Sequence, residues 1–375
     1  MPMEPRTKER ALLVYAHRKR ARGPAALIHV TEVMEELGEL VRSAGAEVVA
    51  THIQSVDAVN PATVVGKGTL ERLKTEMEEK GANLAVFQNL LKPKQQARLE
   101  EELGVKTLDR REVILDIFAQ RARTKEGKLQ VELAQLSYRL GRLAGGRKEL
   151  SRLGGGIGTR GPGEKKLEED RRRIRAQIRQ LERELETVRR TRSLHYRRRR
   201  EVGFPVVALV GYTNAGKSTL FNRLTGAEVF VADQLFATLD PTARKFRLPG
   251  GRDAILVDTV GFIHDLPDEL RQAFLATLEG IGEADLLVHI ADGSSDAMES
   301  NIAAVDAILS ALSFREKPIL LAANKRDLCL PGAHAPEGAI RISSRSGEGI
   351  PELLSTIERE LCLFRPEETA STRPA

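Results

Sequence analysis

Five apolar residues, Val206–Val210, run directly into Gly211-Tyr-Thr-Asn-Ala-Gly-Lys-Ser218 and then into a helical stretch, Thr219–Leu224. The run reads as a strand that opens an α/β domain, and the eight residues after it fit the pattern of a phosphate-binding loop between strand and helix. Glycines let backbone N–H groups close around phosphate oxygens, and the helix N-terminus adds its positive end. Lys217 is expected to bridge the β- and γ-phosphates and Ser218 to ligate Mg²⁺. Gly211, Tyr212, Thr213, Asn214, Ala215, Gly216 and Thr219 complete the expected cradle.

Two further strand-end motifs follow in order. Asp258-Thr-Val-Gly261 comes after the apolar run Ala254–Val257, and Asn324-Lys325-Arg-Asp327 after Ile319–Ala323. Asp258 is placed to hold Mg²⁺ through water, and the Gly261 N–H lies near the γ-phosphate. A carboxylate at Asp327 can accept two hydrogen bonds from guanine N1–H and N2–H₂, a donor pair that adenine lacks, so the expected ligand is GTP or GDP. Ile342-Ser343-Ser344-Arg345-Ser346 stands where a last base-contacting loop belongs. Between the first and second of these motifs, Phe236-Ala-Thr238-Leu-Asp-Pro-Thr242 offers two threonines as metal ligand, Thr238 preferred and Thr242 the fallback.

The remainder of the chain has a different character. Residues 11–110 alternate strands (Ala11–His17, Glu47–Ser55, Leu84–Asn89, Val105–Leu108) with helices (Val30–Ala44, Thr69–Lys80, Pro93–Leu103), a pattern of a small parallel-sheet α/β unit over 1–109. In it, Gly66-Lys67-Gly68 reads as a loop and helix start, with only a superficial likeness to a phosphate loop, and an ATP site there is left open. From 110 to 202, Leu129, Leu133, Leu136, Leu140 and Leu143 recur at helical spacing, as do Ile174, Ile178, Leu181, Leu185 and Val188. The two seams predict a long antiparallel helical hairpin, in which Gly127 and Gly141 are expected to bend or weaken the first arm. Its tip, Ser151–Gly163, is too rich in glycine to continue a helix.

Charge divides along the same line. Residues 1–202 carry 43 Lys/Arg against 29 Asp/Glu, and residues 203–375 carry 16 against 24. Arg139, Arg142, Arg147, Lys148, Arg152, Arg160, Lys165 and Lys166 crowd the tip. The excess points to a nucleic-acid partner for the hairpin. Apart from Tyr138 and Tyr196, no aromatics interleave with these basic residues, so recognition of phosphates and shape is expected rather than base stacking. No run of 18 apolar residues occurs, so no membrane span is expected. Ala11–Val14 is too short for a signal-peptide core. The two cysteines, Cys329 and Cys362, read as free thiols of a cytoplasmic protein.

The strand-end motifs resemble those of the translation-factor-like class of P-loop GTPases, with Ser344 where the last motif usually has alanine. Ser151–Gly163 with Glu164-Lys-Lys-Leu-Glu168, the loop Gly211–Ser218, Leu235–Thr242 and Asp258-Thr-Val-Gly-Phe-Ile263 together resemble the HflX family over nearly the whole chain, from about Ala11 to Leu363. The resemblance implies an N-terminal α/β subdomain and a helical hairpin ahead of a doubly wound GTPase domain over 203–364. It also implies GTP hydrolysis, binding of a monomer to the large ribosomal subunit, and the splitting of stalled ribosomes by a hairpin that reaches toward the peptidyl-transferase centre. A polar tail, 365–375, follows where some members carry a further domain. The alternatives are a GTPase of ribosome or RNA maturation, and a GTP-driven RNA-modification factor.

Many GTPases place glutamine directly after the glycine of the third motif, to orient the attacking water. Here that residue is Phe262, and His264 nearby is expected to be a solvent-facing switch residue. Intrinsic hydrolysis is therefore expected to be slow and to be accelerated by a partner. Asn214 resembles the asparagine of GTPases that bind K⁺ beside the phosphates, or serves simply as a turn-favouring residue.

Overall fold

A computed structural model of the chain describes residues 8–19, 24–145, 162–201, 203–227, 234–264, 280–314, 316–329 and 335–364. Two compact units emerge, and both are discontinuous in sequence. The first comprises Met1–Gln120 and Val131–Arg183, the second Arg121–Gln130 and Glu184–Ala375.

In the first unit, β1 (Arg10–Arg18), β2 (Glu47–Val56), β3 (Leu84–Phe87) and β4 (Lys106–Asp109) form a parallel sheet in the order β2-β1-β3-β4. The connecting helices are α1 (Pro24–Ser43), α2 (Lys67–Lys80) and α3 (Pro93–Leu103), and α4 (Arg110–Arg121) follows β4. Local chemistry sets their ends. Pro93 occupies the first turn of α3, where a missing N–H costs nothing, and Gly81 and Gly104 close α2 and α3 in the left-handed conformation. Asp109 and Glu112 form a reciprocal cap on α4: the Glu112 N–H donates to Asp109 Oδ1 and the Asp109 N–H to Glu112 Oε2, each at 3.2 Å. The core is built from the inner sheet and its helices, with Leu12, Val14, Leu73, Phe87 and Leu99 fully buried. Each such side chain contributes about 1.5–3 kcal/mol. Gly66 is the N-cap of α2, and the space beside both Gly66 and Gly68 is open.

The helical region consists of α5 (Lys125–Gly145) and α6 (Pro162–Glu201). Both seams are the buried stripes of their helices. Leu129, Leu133, Leu136, Leu181 and Leu185 are buried, while Leu140, Leu143, Ile174, Ile178 and Val188 are half-buried. Of the tip read as Ser151–Gly163, Ser151–Gly161 lies outside the described residues, while Pro162 and Gly163 are the first two residues of α6 rather than part of a non-helical loop. α5 runs continuously through both Gly127 and Gly141.

Arg142, one of the basic residues read as crowding the tip, and Tyr138, one of the hairpin's two tyrosines, are engaged within the protein. Tyr138 is buried, and the guanidinium groups of Arg111 and Arg142 each lie over its ring, 5.2 Å from the centroid. Arg142 donates to the Tyr138 hydroxyl and to Gln96, and lies 3.6 Å from Glu112. Tyr138 is thus unable to stack on a base.

In the second unit, β5 (Val206–Gly211), β6 (Thr242–Arg247), β7 (Asp253–Asp258), β8 (Leu286–Asp292), β9 (Ile319–Asn324) and β10 (Ile340–Arg341) form one sheet in the order β10-β9-β8-β5-β7-β6. All neighbours are parallel except β6, which runs antiparallel to β7 at the edge. That edge strand is absent from the sequence reading. Its alternating, largely exposed residues, Thr-Ala-Arg-Lys-Phe-Arg, bury only Phe246 and carry no apolar run. The helices α7 (Lys217–Thr225), α8 (Met298–Ala311) and α9 (Ile350–Phe364) pack on the sheet. β5 is fully buried and its strand neighbours lie on both sides, so the direction of winding reverses at β5. In such sheets ligands bind at the carboxyl ends of the strands beside that reversal.

Candidate nucleotide site

Strand register brings the motifs to one edge. Leu209 of β5 pairs with Asp258 of β7, Gly211 with Ile290 of β8, and Asp292 of β8 with Asn324 of β9. The phosphate loop therefore emerges between the Asp258 and Asn324 segments. A cavity of about 530 Å³ opens there, lined among others by Thr213, Lys217, Thr238, Gly261, Asn324 and Asp327.

Two glycines of the loop are dictated by space as well as by φ. A Cβ on Gly211 (φ 149°) would stand 2.2 Å from the Ile290 carbonyl oxygen, and one on Gly216 (φ 91°) 2.2 Å from Asn324 Nδ2. Asn214 has φ 60°, a conformation asparagine adopts more readily than most residues, which supplies a backbone reason for its position. Gly216 caps α7, whose first residues are Lys217, Ser218 and Thr219. Lys217 is buried, and its Nζ donates to the carbonyls of Gly211 (3.1 Å) and Tyr212 (2.7 Å). Burial pulls its pKa down to about 8, against the opposing pull of Asp258.

Ser218, Thr238 and Asp258 converge. Ser218 Oγ donates to Asp258 Oδ2 at 2.7 Å and is 2.8 Å from Thr238 Oγ1, which lies 3.1 Å from the same carboxylate oxygen. Asp258 is inaccessible to solvent, and burial raises its pKa, with the Ser218 hydrogen bond and Lys217 opposing. Its Oδ1 is buried and without a hydrogen-bond partner. A hard oxygen-donor set with an unsatisfied anionic oxygen fits Mg²⁺. Of the two threonines in the Phe236–Thr242 segment, Thr238 is in this group, while Thr242 is the first residue of β6 and pairs with Asp258 in the ladder.

The third motif is docked onto the phosphate loop. Phe262 N–H donates to the Gly211 carbonyl (3.1 Å), and Thr213 N–H to the Phe262 carbonyl (2.8 Å), which forms a parallel bridge between Tyr212 and Phe262. Gly261 is pressed against Thr213, where a Cβ would lie 2.7 Å from the Thr213 Cα. Phe262 is buried, consistent with its inability to orient water. His264 is half-buried rather than solvent-facing. Its N–H donates to the Tyr212 hydroxyl (2.9 Å), and the two rings lie 5.1 Å apart.

Asn324 is a tie between loops. Its Nδ2 donates to the Ala215 carbonyl (2.8 Å), and its Oδ1 accepts from both N–H and Oγ of Ser344 (2.9 Å each). Ser344 thus uses its hydroxyl as well as its backbone. Asp327 is exposed to the cavity, with Oδ1 accepting from Ser343 Oγ at 2.6 Å. Lys325 (φ 63°) pairs with Asp292 at 2.7 Å. Sequence reasoning missed Asp292, although it ends an apolar run, as Asp258 does. It also missed Arg223 of α7, whose Nε donates to the Ser344 carbonyl (2.6 Å) and whose guanidinium also reaches the Arg345 carbonyl. No local pattern marks that residue.

This combination, a sheet that reverses at a phosphate loop with an acidic strand end on one side and a base-type carboxylate loop on the other, defines a P-loop GTPase. Family models agree: GTP-binding GTPase N-terminal matches residues 31–119, GTP-binding GTPase Middle Region 121–199, and 50S ribosome-binding GTPase 206–325. The chain is 50% identical over 369 residues to GTPase HflX of Caldanaerobacter subterraneus subsp. tengcongensis, covering 98% of this chain and 83% of that protein. It is 42% identical to GTPase HflX of Escherichia coli over 351 residues, 90% of this chain and 82% of that one. The chain belongs to the HflX family of GTPases. Among solved structures, a GTP-binding protein from Sulfolobus solfataricus in complex with GDP is similar at 23% identity and a TM-score of 0.47, covering 95% of this chain and 100% of that one.

Proposed function

We propose that this GTPase acts on ribosomes: it binds the large subunit through its basic helical region, hydrolyses GTP in response, and splits stalled particles. It does so as a monomer in the cytoplasm. The observation that carries this reading is α6. It has 40 residues, about 60 Å at 1.5 Å per residue, and it exposes Arg172, Arg173, Arg175, Arg179, Arg183 and Arg190. The description 50S ribosome-binding GTPase on the family model over 206–325 supports the same partner. No helix among the described residues is long and apolar enough to cross a membrane.

At the nucleotide, Lys217 supplies positive charge to the β- and γ-phosphates, and Asp327 accepts from the guanine edge with Ser343 holding its carboxylate. Asn324, held by Ser344, ties the base loop to the phosphate loop at Ala215, and Arg223 holds the Ser344 and Arg345 carbonyls to α7. Ser218, Thr238 and, through water, Asp258 would hold Mg²⁺, which when bound withdraws charge from the phosphate oxygens. With Phe262 buried, no side chain directly after Gly261 orients the attacking water, so the ribosome supplies that order and the reaction is slow without it. K⁺ beside Asn214 belongs to the same reading. A higher hydrolysis rate in K⁺ than in Na⁺ is expected, and equal rates in the two salts, with and without ribosomes, remove it.

The test is sedimentation and light scattering with the full chain. The GTP-loaded protein is expected to pellet with large subunits. Its affinity should fall with salt, at a log–log slope of roughly −0.7 to −0.9 per phosphate contact. Replacing Gly154–Gly163 by a short turn should leave GTP binding unchanged and abolish splitting. Splitting at the intact rate in that variant would reduce the tip to a connector, and absence of co-sedimentation at low salt would remove the ribosomal partner.

A further inference from the structure

The short segment that joins α4 to α5 belongs to the nucleotide-binding unit, and its contacts there fall on one feature. Asp240, two residues beyond Thr238, spends its whole carboxylate on the N-terminus of α5. Oδ2 accepts from the backbone N–H groups of Arg123 (2.8 Å) and Thr124 (2.9 Å), and Oδ1 accepts from the Thr124 hydroxyl. The Thr124 hydroxyl in turn accepts from the Gly127 N–H at 2.9 Å, so it caps the first turn of the helix. At the other end of the same segment, Gln234 accepts from the Arg121 guanidinium. Residues 121–127 thus hold the Gln234–Asp240 segment at both ends.

Gly127 makes this possible. A Cβ there would stand 2.2 Å from Asp240 Oδ1 and 3.2 Å from the Thr124 hydroxyl. A glycine within the first turn of a helix is a poor choice for helix stability, and here it is the gap through which a carboxylate reaches the helix end. Pro241 follows Asp240 directly, and β6 starts at Thr242. The chain between Thr238 and the sheet is therefore short, restricted by proline, and anchored at Asp240.

We propose that Asp240 is a positioning residue for GTP hydrolysis. It anchors the Thr238 segment on the capped N-terminus of α5, so that Thr238 stands beside Ser218 and Asp258 before any partner binds. The proposal rests on the reading of Ser218, Thr238 and Asp258 as the Mg²⁺ donor set. A negative charge on a helix N-terminus and three hydrogen bonds to a carboxylate make the anchor strong enough to matter. Linkage makes it reciprocal: if the anchor favours the Mg²⁺–GTP state, that state must tighten the anchor.

The test uses the full chain and four variants, Asp240→Ala, Gly127→Ala, Thr124→Ala and Thr124→Ser. The readout is binding of a fluorescent, non-hydrolysable GTP analogue as a function of Mg²⁺. Asp240→Ala and Gly127→Ala are each expected to raise the Mg²⁺ concentration at half-saturation by about 10- to 100-fold, with affinity in chelator unchanged. Thr124→Ala should shift it less, and Thr124→Ser should restore the wild-type curve. The double variant Asp240→Ala/Gly127→Ala should be no worse than Asp240→Ala alone, because both remove one contact. Amide exchange at Arg123 and Thr124 should slow when wild type takes up Mg²⁺ with the analogue, and should not change in Asp240→Ala. Unshifted Mg²⁺ dependence in folded Asp240→Ala and Gly127→Ala, additive effects in the double variant, or exchange at Arg123 and Thr124 indifferent to the ligand would each overturn the proposal. If wild type itself shows no Mg²⁺-dependent binding, or Ser218→Ala retains it, the donor-set reading fails instead, and the positioning role falls with it.

Discussion

Lys217→Ala is expected to lower single-turnover GTP hydrolysis by about 10²–10³-fold, the usual cost of removing one preorganised charge from a transition state. The fold should survive. Lys217 is buried, and desolvation already penalises its ammonium, as its lowered pKa of about 8 records. A group whose folded pKa lies below its unfolded value binds fewer protons when folded, so through this residue the unliganded protein gains stability between about pH 8 and pH 10.5. Alanine removes that penalty, and the variant should melt no earlier than wild type at neutral pH and lack that part of the alkaline gain. Phosphate release from pre-bound GTP gives the rate, and calorimetric melting at two pH values checks the fold. Turnover at the wild-type rate would place hydrolysis elsewhere in the molecule.

Asp327→Asn is expected to weaken GTP binding by about 10²–10³-fold and to shift preference toward xanthine nucleotides. Two hydrogen bonds to an ionised carboxylate are worth roughly 1.5–3 kcal/mol each, and an amide keeps one acceptor but offers a donor where guanine also presents one. Xanthine replaces that exocyclic donor by a carbonyl, which the new amide can satisfy. The hydrogen bond from Ser343 Oγ to Asp327 Oδ1, 2.6 Å, already orients the carboxylate, and the amide oxygen can still accept it. Isothermal calorimetry with GTP and XTP measures the exchange. An unaltered GTP affinity would remove Asp327 from the base site.

Much of this arrangement is readable in the chain because it is local. Apolar runs of four to six residues ending in Gly211, Asp258 and Asn324 mark strands by composition and strand ends by the polar residue that follows. The structure places these ends on one edge. Helix ends announced by Gly81, Pro93 and Gly104 are similarly visible. What escapes is set by neighbours distant in sequence. β6 becomes a strand because β7 lies beside it, since its own residues alternate without an apolar face beyond Phe246. The choice between Thr238 and Thr242 depends on which reaches Ser218, and spacing alone cannot decide it. Arg142 and Arg223 look like any surface arginine until Tyr138 and the Ser344 carbonyl are seen beside them. Gly127 is the clearest case: read along the helix it is a weak point, and only Asp240, 113 residues later, explains it.

The discontinuity of the two units also bears on the order in which the chain can fold as it is made. The first unit has all its residues once Arg183 is synthesised, whereas the second has only Arg121–Gln130 by then and waits for nearly two hundred more. At about 5–20 residues per second that interval is on the order of 10–40 s, far longer than a helix needs to form. α5 can therefore be standing, its first turn capped by Thr124 but still without Asp240, before β5 exists. The nascent nucleotide domain would complete itself on a piece of its own structure laid down in advance. In a chain arrested far enough past Arg183 for that residue to have left the ribosome, the described residues of the first unit should already resist proteolysis, while Arg121–Gln130 should gain further protection only once the rest of their unit is made.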